Sequence, residues 1–186
     1  MLADLHRLLN NPVSMTPAIY ETVEHYIRSY GLKLPRVLEV GSQDVNGSVR
    51  ELFTQEAHTS EYIGIDFQEA KGVDIVATPT QLLELSEDWA RSFDAVVCLE
   101  VLEHDIRFWE TLTAIKKLMK PGAYFFLSVP TYGFGYHGYP KDYYRFSHDS
   151  FKEVLLDGFT IFDMTRVKDT IGQPGLIGLG RLPYEI

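Results

Sequence analysis

A chain of 186 residues with 45% hydrophobic and 23% charged side chains has room for one soluble domain that buries roughly 70% of its unfolded surface. Its 26 acids against 17 lysines and arginines, a formal charge of −9, leave it without the general phosphate attraction of nucleic-acid binders, so DNA, RNA and anionic membranes are disfavoured partners. One cysteine, Cys98, permits no internal disulfide and suits a reducing cytoplasm; no run approaches the roughly 18 apolar residues of a membrane span, and no signal peptide is apparent.

Leu2, Leu5, Leu8 and Leu9 have helical spacing, which Asn10, Asn11 and Pro12 interrupt. Thr16 and Pro17 start a second helix, with the threonine hydroxyl expected as its cap; Ile19, Val23, Tyr26, Ile27 and Tyr30 mark its apolar face, and Gly31 ends it. Residues 36–40 then form a short buried strand, Gly41 turns the chain, and 48–53 has helix character. Strands are predicted at 62–66 and 73–77, a helix at 79–91, and a strand at 94–99 apolar enough to be covered on both faces. A helix at 108–120, closed by Pro121 and Gly122, leads to a buried strand at 123–129.

Strand–helix alternation of this kind predicts a parallel sheet with right-handed crossovers. The segment 130–146 breaks the rhythm, with Gly133, Gly135, Gly138 and Pro140 among five tyrosines. A long irregular segment rich in aromatics reads as a functional loop. Ser147 caps a helix carrying Phe151, Val154 and Leu155; 159–167 is a strand, and the glycine-rich stretch 176–180 a last one. There is no internal repeat and no interdomain linker, so 1–186 reads as a single domain.

A strand that turns through glycine into a helix places its loop at the carboxyl edge of a sheet, where open α/β folds bind ligands. Asp66 closes the second strand 19 residues after Gly47, and its two carboxylate oxygens suit the hydroxyls of a ribose. The dinucleotide fingerprint G-x-G-x-x-G is missing, because Gln43 and Asn46 stand at the second and third glycine positions. Glu39 would repel a phosphate and attract a cation such as an amino group. An acid, one glycine and a ribose carboxylate suit S-adenosylmethionine better than a nicotinamide cofactor, which is the second enzymatic alternative.

The segments "VLEVGSQDVNG", "YIGIDF", "FDAVVCLEVLEH" and "LMKPGAYFFLSVP" resemble, in order, the motifs of class I S-adenosylmethionine-dependent methyltransferases across residues 35–130. The resemblance implies a Rossmann-like, mostly parallel seven-stranded sheet with one antiparallel strand near the C-terminus, helices on both faces, and leading helices over 1–31 that can act as a lid. It also implies that Glu39 binds the methionine amino group, with Gly41 and Gln43 shaping that pocket. Asp66 then holds the ribose and Phe67 sits beside the adenine. Thr78 lies near the adenine amino group, in place of the family's frequent acid, and Cys98, Leu99 and Glu100 line the cofactor through their backbone.

Methyl transfer mainly requires alignment, which contributes on the order of 7–11 kcal/mol, and a general base adds about 10²–10⁴-fold. His104, beside Glu100 and Glu103, and His137, with Asp142 nearby, are the two candidates; each alternatively has a purely structural role. Tyr136, Tyr144 and Arg145 are expected to face a small-molecule acceptor, although Arg145 equally suits an internal ion pair. Glu100, Glu103, His104 and His137 could converge on a metal ion, but one cysteine and scattered histidines make no ligand-spacing motif, so no metal is expected. A catalytically silent, partner-binding domain of the same fold is the alternative from another class.

Overall fold

The computed structural model describes residues 16–184 apart from 46 and 139. The expected helix at 2–9, its lid role, and Asn46 and Tyr139 lie outside the described residues. Pro17–Ser29 forms α1. Thr16 stands at its cap position, but the hydroxyl makes no capping bond; its carbonyl accepts from Ile19 and Tyr20 instead (2.8 and 3.2 Å). Ile19, Val23, Tyr26 and Ile27 are buried as expected, whereas Tyr30 stays half-exposed with its ring edge-on to Phe162.

β1 (Arg36–Val40) pairs in parallel with β2 (Glu61–Asp66) on one side and β4 (Phe93–Leu99) on the other. Such a central strand is buried on both faces, which is why Val37, Leu38 and Val40 are all apolar. α2 (Arg50–Glu56) connects β1 to β2, and β3 shrinks to Ile75–Val76 at the sheet edge. β5 (Met119–Pro130) follows β4 in parallel, and β7 (Pro174–Arg181) runs antiparallel to both β5 and β6 (Thr160–Lys168). The order β3-β2-β1-β4-β5-β7-β6 gives the seven-stranded sheet with its reversed strand near the C-terminus.

Several expected boundaries differ. The helix at 79–91 is divided into α3 (Pro79–Leu85) and a separate turn over Glu87–Trp89, because Ser86 adopts an extended conformation and its hydroxyl caps that turn. α4 ends at Leu118 rather than 120 (Phe108–Leu118), since Met119 already pairs with Phe93 in the sheet and Gly122, at φ +82°, turns within β5. The Ser147-capped α5 is α-helical only over His148–Ser150 and widens to π-winding over Phe151–Leu155, with Leu156 N–H reaching back to the Phe151 carbonyl (3.0 Å). The glycines of β7 have a packing reason: a side chain at 178 would meet the ring of Phe151.

Two apolar layers sandwich the sheet. Leu82 of α3, Leu112, Ile115 and Leu118 of α4, and Phe151 and Leu155 of α5 cover one face. The buried residues of α1, with Leu52 and Phe53 of α2, cover the other. Phe126 of β5 is fully buried there, 5.1 Å edge-on from Phe53 and 6.5 Å from Tyr26. Phe126→Ala should lower the unfolding free energy by about 3–5 kcal/mol, seen as a lower urea midpoint with an unchanged slope.

Candidate active site

A cavity of about 780 Å³ opens at the carboxyl ends of β1, β2 and β4, where the sheet order reverses direction. The loop after β1 is pinned across its floor. Gly41 and Ser42 N–H groups both donate to the Ile65 carbonyl (2.9 and 3.0 Å), and Asp44 N–H donates to Lys71 (2.8 Å). Gly41 has φ +75°, and a side chain there would strike the methyls of Val101. The position therefore needs glycine on two counts.

Glu39 lines the cavity from β1 and is buried, with Oε2 lacking a well-formed hydrogen bond. Burial pushes its carboxyl up to about 7, although the Tyr62 hydroxyl and the Arg50 guanidinium pull it back down. A buried, incompletely partnered carboxylate is costly alone and is relieved by an arriving cation. Across the cavity, Asp66 is also buried and accepts backbone N–H bonds from Phe67 (2.7 Å) and Gln43 (3.2 Å), leaving further lone pairs on each oxygen. Gly41 and Gln43 both line the cavity, and the Gln43 Oε1 accepts from Gln68 (2.9 Å).

Phe67 stands half-exposed at the rim, and Thr78 lies in the wall. The Thr78 hydroxyl accepts from Gln81 N–H (3.3 Å) in a capping box for α3. Leu99 and Glu100 line the cavity, whereas Cys98 does not. It points into the α4 layer, where burial raises its thiol pKa well above the ordinary value.

The chemistry-bearing cluster lies past the end of β4. Glu100 has φ +55°, a conformation rare outside glycine, and its Oε1 accepts from Ser128 Oγ (2.9 Å). Burial, then the nearby Glu103 charge, raises its carboxyl well above the usual range. Leu102–His104 forms a single tight turn that buries Glu103 completely and brings its Oε1 to 3.5 Å from His104 Nε2 and 3.3 Å from His137 Nε2. His137 comes from the loop after β5, whose ends are drawn together by Thr131 Oγ1 to the Phe146 carbonyl (2.6 Å) and Phe146 N–H to the Pro130 carbonyl (3.1 Å).

Asp142 orders that loop. It accepts the His137 N–H (2.8 Å) and both arms of Arg145, whose positive charge holds the Asp142 carboxyl well below its usual range. The Arg145 guanidinium also donates to the Phe134, Gly135 and Tyr144 carbonyls. It is thus occupied by the loop itself and lies outside the cavity lining. Tyr136 is 80% exposed, and Tyr144 donates to the Ile106 carbonyl (2.9 Å) while packing on Phe108; neither lines the cavity. Sequence reasoning named Glu103 beside His104 and as one of four residues that could converge on a metal, but its complete burial against two imidazoles had no sequence signal.

A nucleoside-sized cavity with an acid at the end of each of the first two strands, in this strand order, defines a class I α/β protein of the methyltransferase type. A family profile described as a methyltransferase domain matches residues 2–158. The chain belongs to that family, and its resemblance to S-adenosylmethionine-dependent methyltransferases holds across its fold.

Two ubiquinone biosynthesis O-methyltransferases are similar to it. The one from Hahella chejuensis is 34% identical over 105 residues, covering 50% of this chain and 42% of that protein. The one from Dechloromonas aromatica is 49% identical over 46 residues, 25% of this chain and 20% of that protein. The chain thus spans less than half the length of these curated relatives. In fold it is similar to a Burkholderia thailandensis 1,6-didemethyltoxoflavin-N1-methyltransferase solved with S-adenosylhomocysteine, with a TM-score of 0.70 at 21% identity, over 89% of this chain and 79% of that one.

Proposed function

We propose that this chain transfers a methyl group from S-adenosylmethionine to an oxygen or nitrogen of a small-molecule acceptor. The observation that carries the proposal is the pair of buried acids, Glu39 and Asp66, lining one cavity of about 780 Å³ with Glu39 incompletely partnered. That volume lies within the range of small-molecule sites, about 300–1,000 Å³. When bound, the cofactor supplies an electrophilic methyl on a sulfonium leaving group. Glu39 would pair with its amino group, Asp66 with its ribose, and Phe67 and Thr78 would flank its base.

On the acceptor side, His104 and His137 are the basic groups, each tied to Glu103 and to the loop 130–146. Alignment by that loop and loss of the acceptor's proton are the two tasks left to the protein. The −9 charge and the concave site favour a small neutral or cationic acceptor over nucleic acid or an anionic membrane. Among the described residues no helix is long and apolar enough to cross a membrane. A cytoplasmic, single-domain enzyme fits the one buried cysteine. Tyr132 and Tyr136, 90% and 80% exposed, are the feature that favours the alternative of a silent binding domain.

Calorimetry with S-adenosylhomocysteine tests the reading directly; an absence of binding removes it. Its pH dependence should report Glu39. In the empty protein that carboxyl, with its pKa near 7, is protonated below neutrality, whereas a bound ammonium favours the ionised form. Binding therefore releases a proton at low pH, and affinity should fall about tenfold from pH 7.5 to pH 6. Glu39→Gln should flatten that dependence.

A further inference from the structure

Glu103 poses a charge problem that the methyl-transfer reading does not resolve. Its side chain is completely buried, Oε2 has no hydrogen-bond partner, and Glu100 brings a second, half-buried carboxyl to the same end of β4. Arg145, the nearest fixed cation of the loop, is spent on Asp142 and three backbone carbonyls. What face Glu103 are two imidazoles, and the tautomer of one is determined by its other contact. His104 Nδ1 lies 2.5 Å from the Lys141 carbonyl oxygen, which can only accept, so the proton sits on Nδ1. In the neutral ring Nε2 then presents a lone pair to the Glu103 carboxylate 3.5 Å away. That opposition is relieved by a cation held between the two atoms, either a shared proton or a metal ion.

We propose that Glu103, His104 and His137 form a binding site for one divalent first-row transition-metal cation at the acceptor end of the methyl-transfer cavity. Their ligand atoms all lie within 4.8 Å of one another. Two ligands each about 2.1 Å from a tetrahedral centre stand roughly 3.4 Å apart. Glu103 Oε1 is 3.5 Å from His104 Nε2 and 3.3 Å from His137 Nε2, which brackets that spacing. Two imidazoles and one carboxylate suit a first-row divalent ion and leave coordination positions open.

The surroundings have the form that metal ligands need. The Lys141 carbonyl orients His104, and Asp142 Oδ2 lies 3.5 Å from His137 Nδ1. Arg145 Nη2 is 3.3 Å from that same Nδ1. If it donates there, His137 Nε2 carries the proton and hydrogen-bonds Glu103 without any cation, and this is the arrangement the experiment must separate. His104, His137 and Glu100 line the cavity, so the open positions would face the acceptor. There a cation would bind an acceptor hydroxyl and lower its pKa. This last step rests on the methyl-transfer reading; cation binding does not.

The test is calorimetric titration of the chelator-treated, full-length protein with Mn²⁺, alongside the visible spectrum with Co²⁺ and, separately, titration with S-adenosylhomocysteine. We expect one equivalent of Mn²⁺ bound, cobalt d–d absorption, and about 100-fold weaker Mn²⁺ binding in both Glu103→Gln and His104→Asn. Retained S-adenosylhomocysteine affinity shows that a variant is folded. If a variant loses that as well, the wild-type cobalt spectrum and stoichiometry decide. No uptake by wild type at 1 mM Mn²⁺ or Co²⁺, or wild-type affinity in a folded Glu103→Gln protein, overturns the site. Cation binding without S-adenosylhomocysteine binding would keep the metal site and remove the methyl-transfer reading.

Discussion

Asp66→Ala should weaken S-adenosylhomocysteine binding by about 10²–10³-fold, the largest affinity loss expected from a single substitution in the cofactor half of the cavity. Two effects add. The ribose loses hydrogen bonds to a charged acceptor, each contributing about 1.5–3 kcal/mol. In addition, the N–H groups of Gln43 and Phe67, at 3.2 and 2.7 Å from the carboxylate, lose their partner. Those bonds tie the loop after β1 to the end of β2, so the alanine variant damages the cavity's shape as well as its chemistry. Asp66→Asn separates the two, because its carbonyl oxygen still accepts while the charge is gone, and it should fall about tenfold. Calorimetry on the three proteins gives the answer. Equal affinities would mean that the ribose lies elsewhere and that the Asp66 bonds to Gln43 and Phe67 do not set the shape of its site.

Much of this cavity was legible because strand ends are local features. Val37, Leu38 and Val40 declare a strand buried on both faces, Gly41 declares the turn, and the acids at 39 and 66 follow by position alone. Cys98 sits one residue from the cavity-lining Leu99, but its partners across the sheet, Val40 and Leu127, share its face and lie in the α4 layer. Successive strand residues point to opposite sides, so the Cys98 thiol faces the α4 layer, whereas the contact expected of residues 98–100 was through their backbone.

Boundaries failed where a tertiary partner overruled local preference. Lys120 has good helix propensity, yet Met119 pairs with Phe93 and draws the chain into the sheet two residues early. β7 was the least expected strand, since three of its eight residues are glycine. Its glycines are explained only by what packs above them, Phe151 over Gly178 and Phe159 with Leu156 over Gly180. Nothing within 174–181 announces those rings.

The acceptor side was least legible because its residues are far apart in sequence. Glu103 and His137 are separated by 34 positions, and only the closed loop 131–146 brings them to 3.3 Å. The same loop explains why the tyrosines misled. An aromatic-rich loop beside a cavity suggests substrate contacts, but Tyr144 is spent on Ile106 and Phe108, and Arg145 is spent on Asp142. These side chains build the loop, and the loop presents a histidine.

His137→Ala should therefore reduce kcat by about 10²–10⁴-fold while S-adenosylhomocysteine affinity changes by less than about threefold. The cofactor acids Glu39 and Asp66 approach from β1 and β2, whereas His137 reaches the cavity from the loop after β5, so its removal spares their contacts. It leaves the buried Glu103 facing His104 alone. Rescue experiments distinguish how the lost group acted. If His137 is a ligand, millimolar Mn²⁺ should restore part of kcat by mass action on the weakened site, and free imidazole without metal should not. If it removes the acceptor's proton directly, imidazole should restore activity and Mn²⁺ should have no effect. Unchanged turnover in the alanine variant would exclude both roles and leave His137 as a member of the Asp142–Arg145 network that shapes the loop.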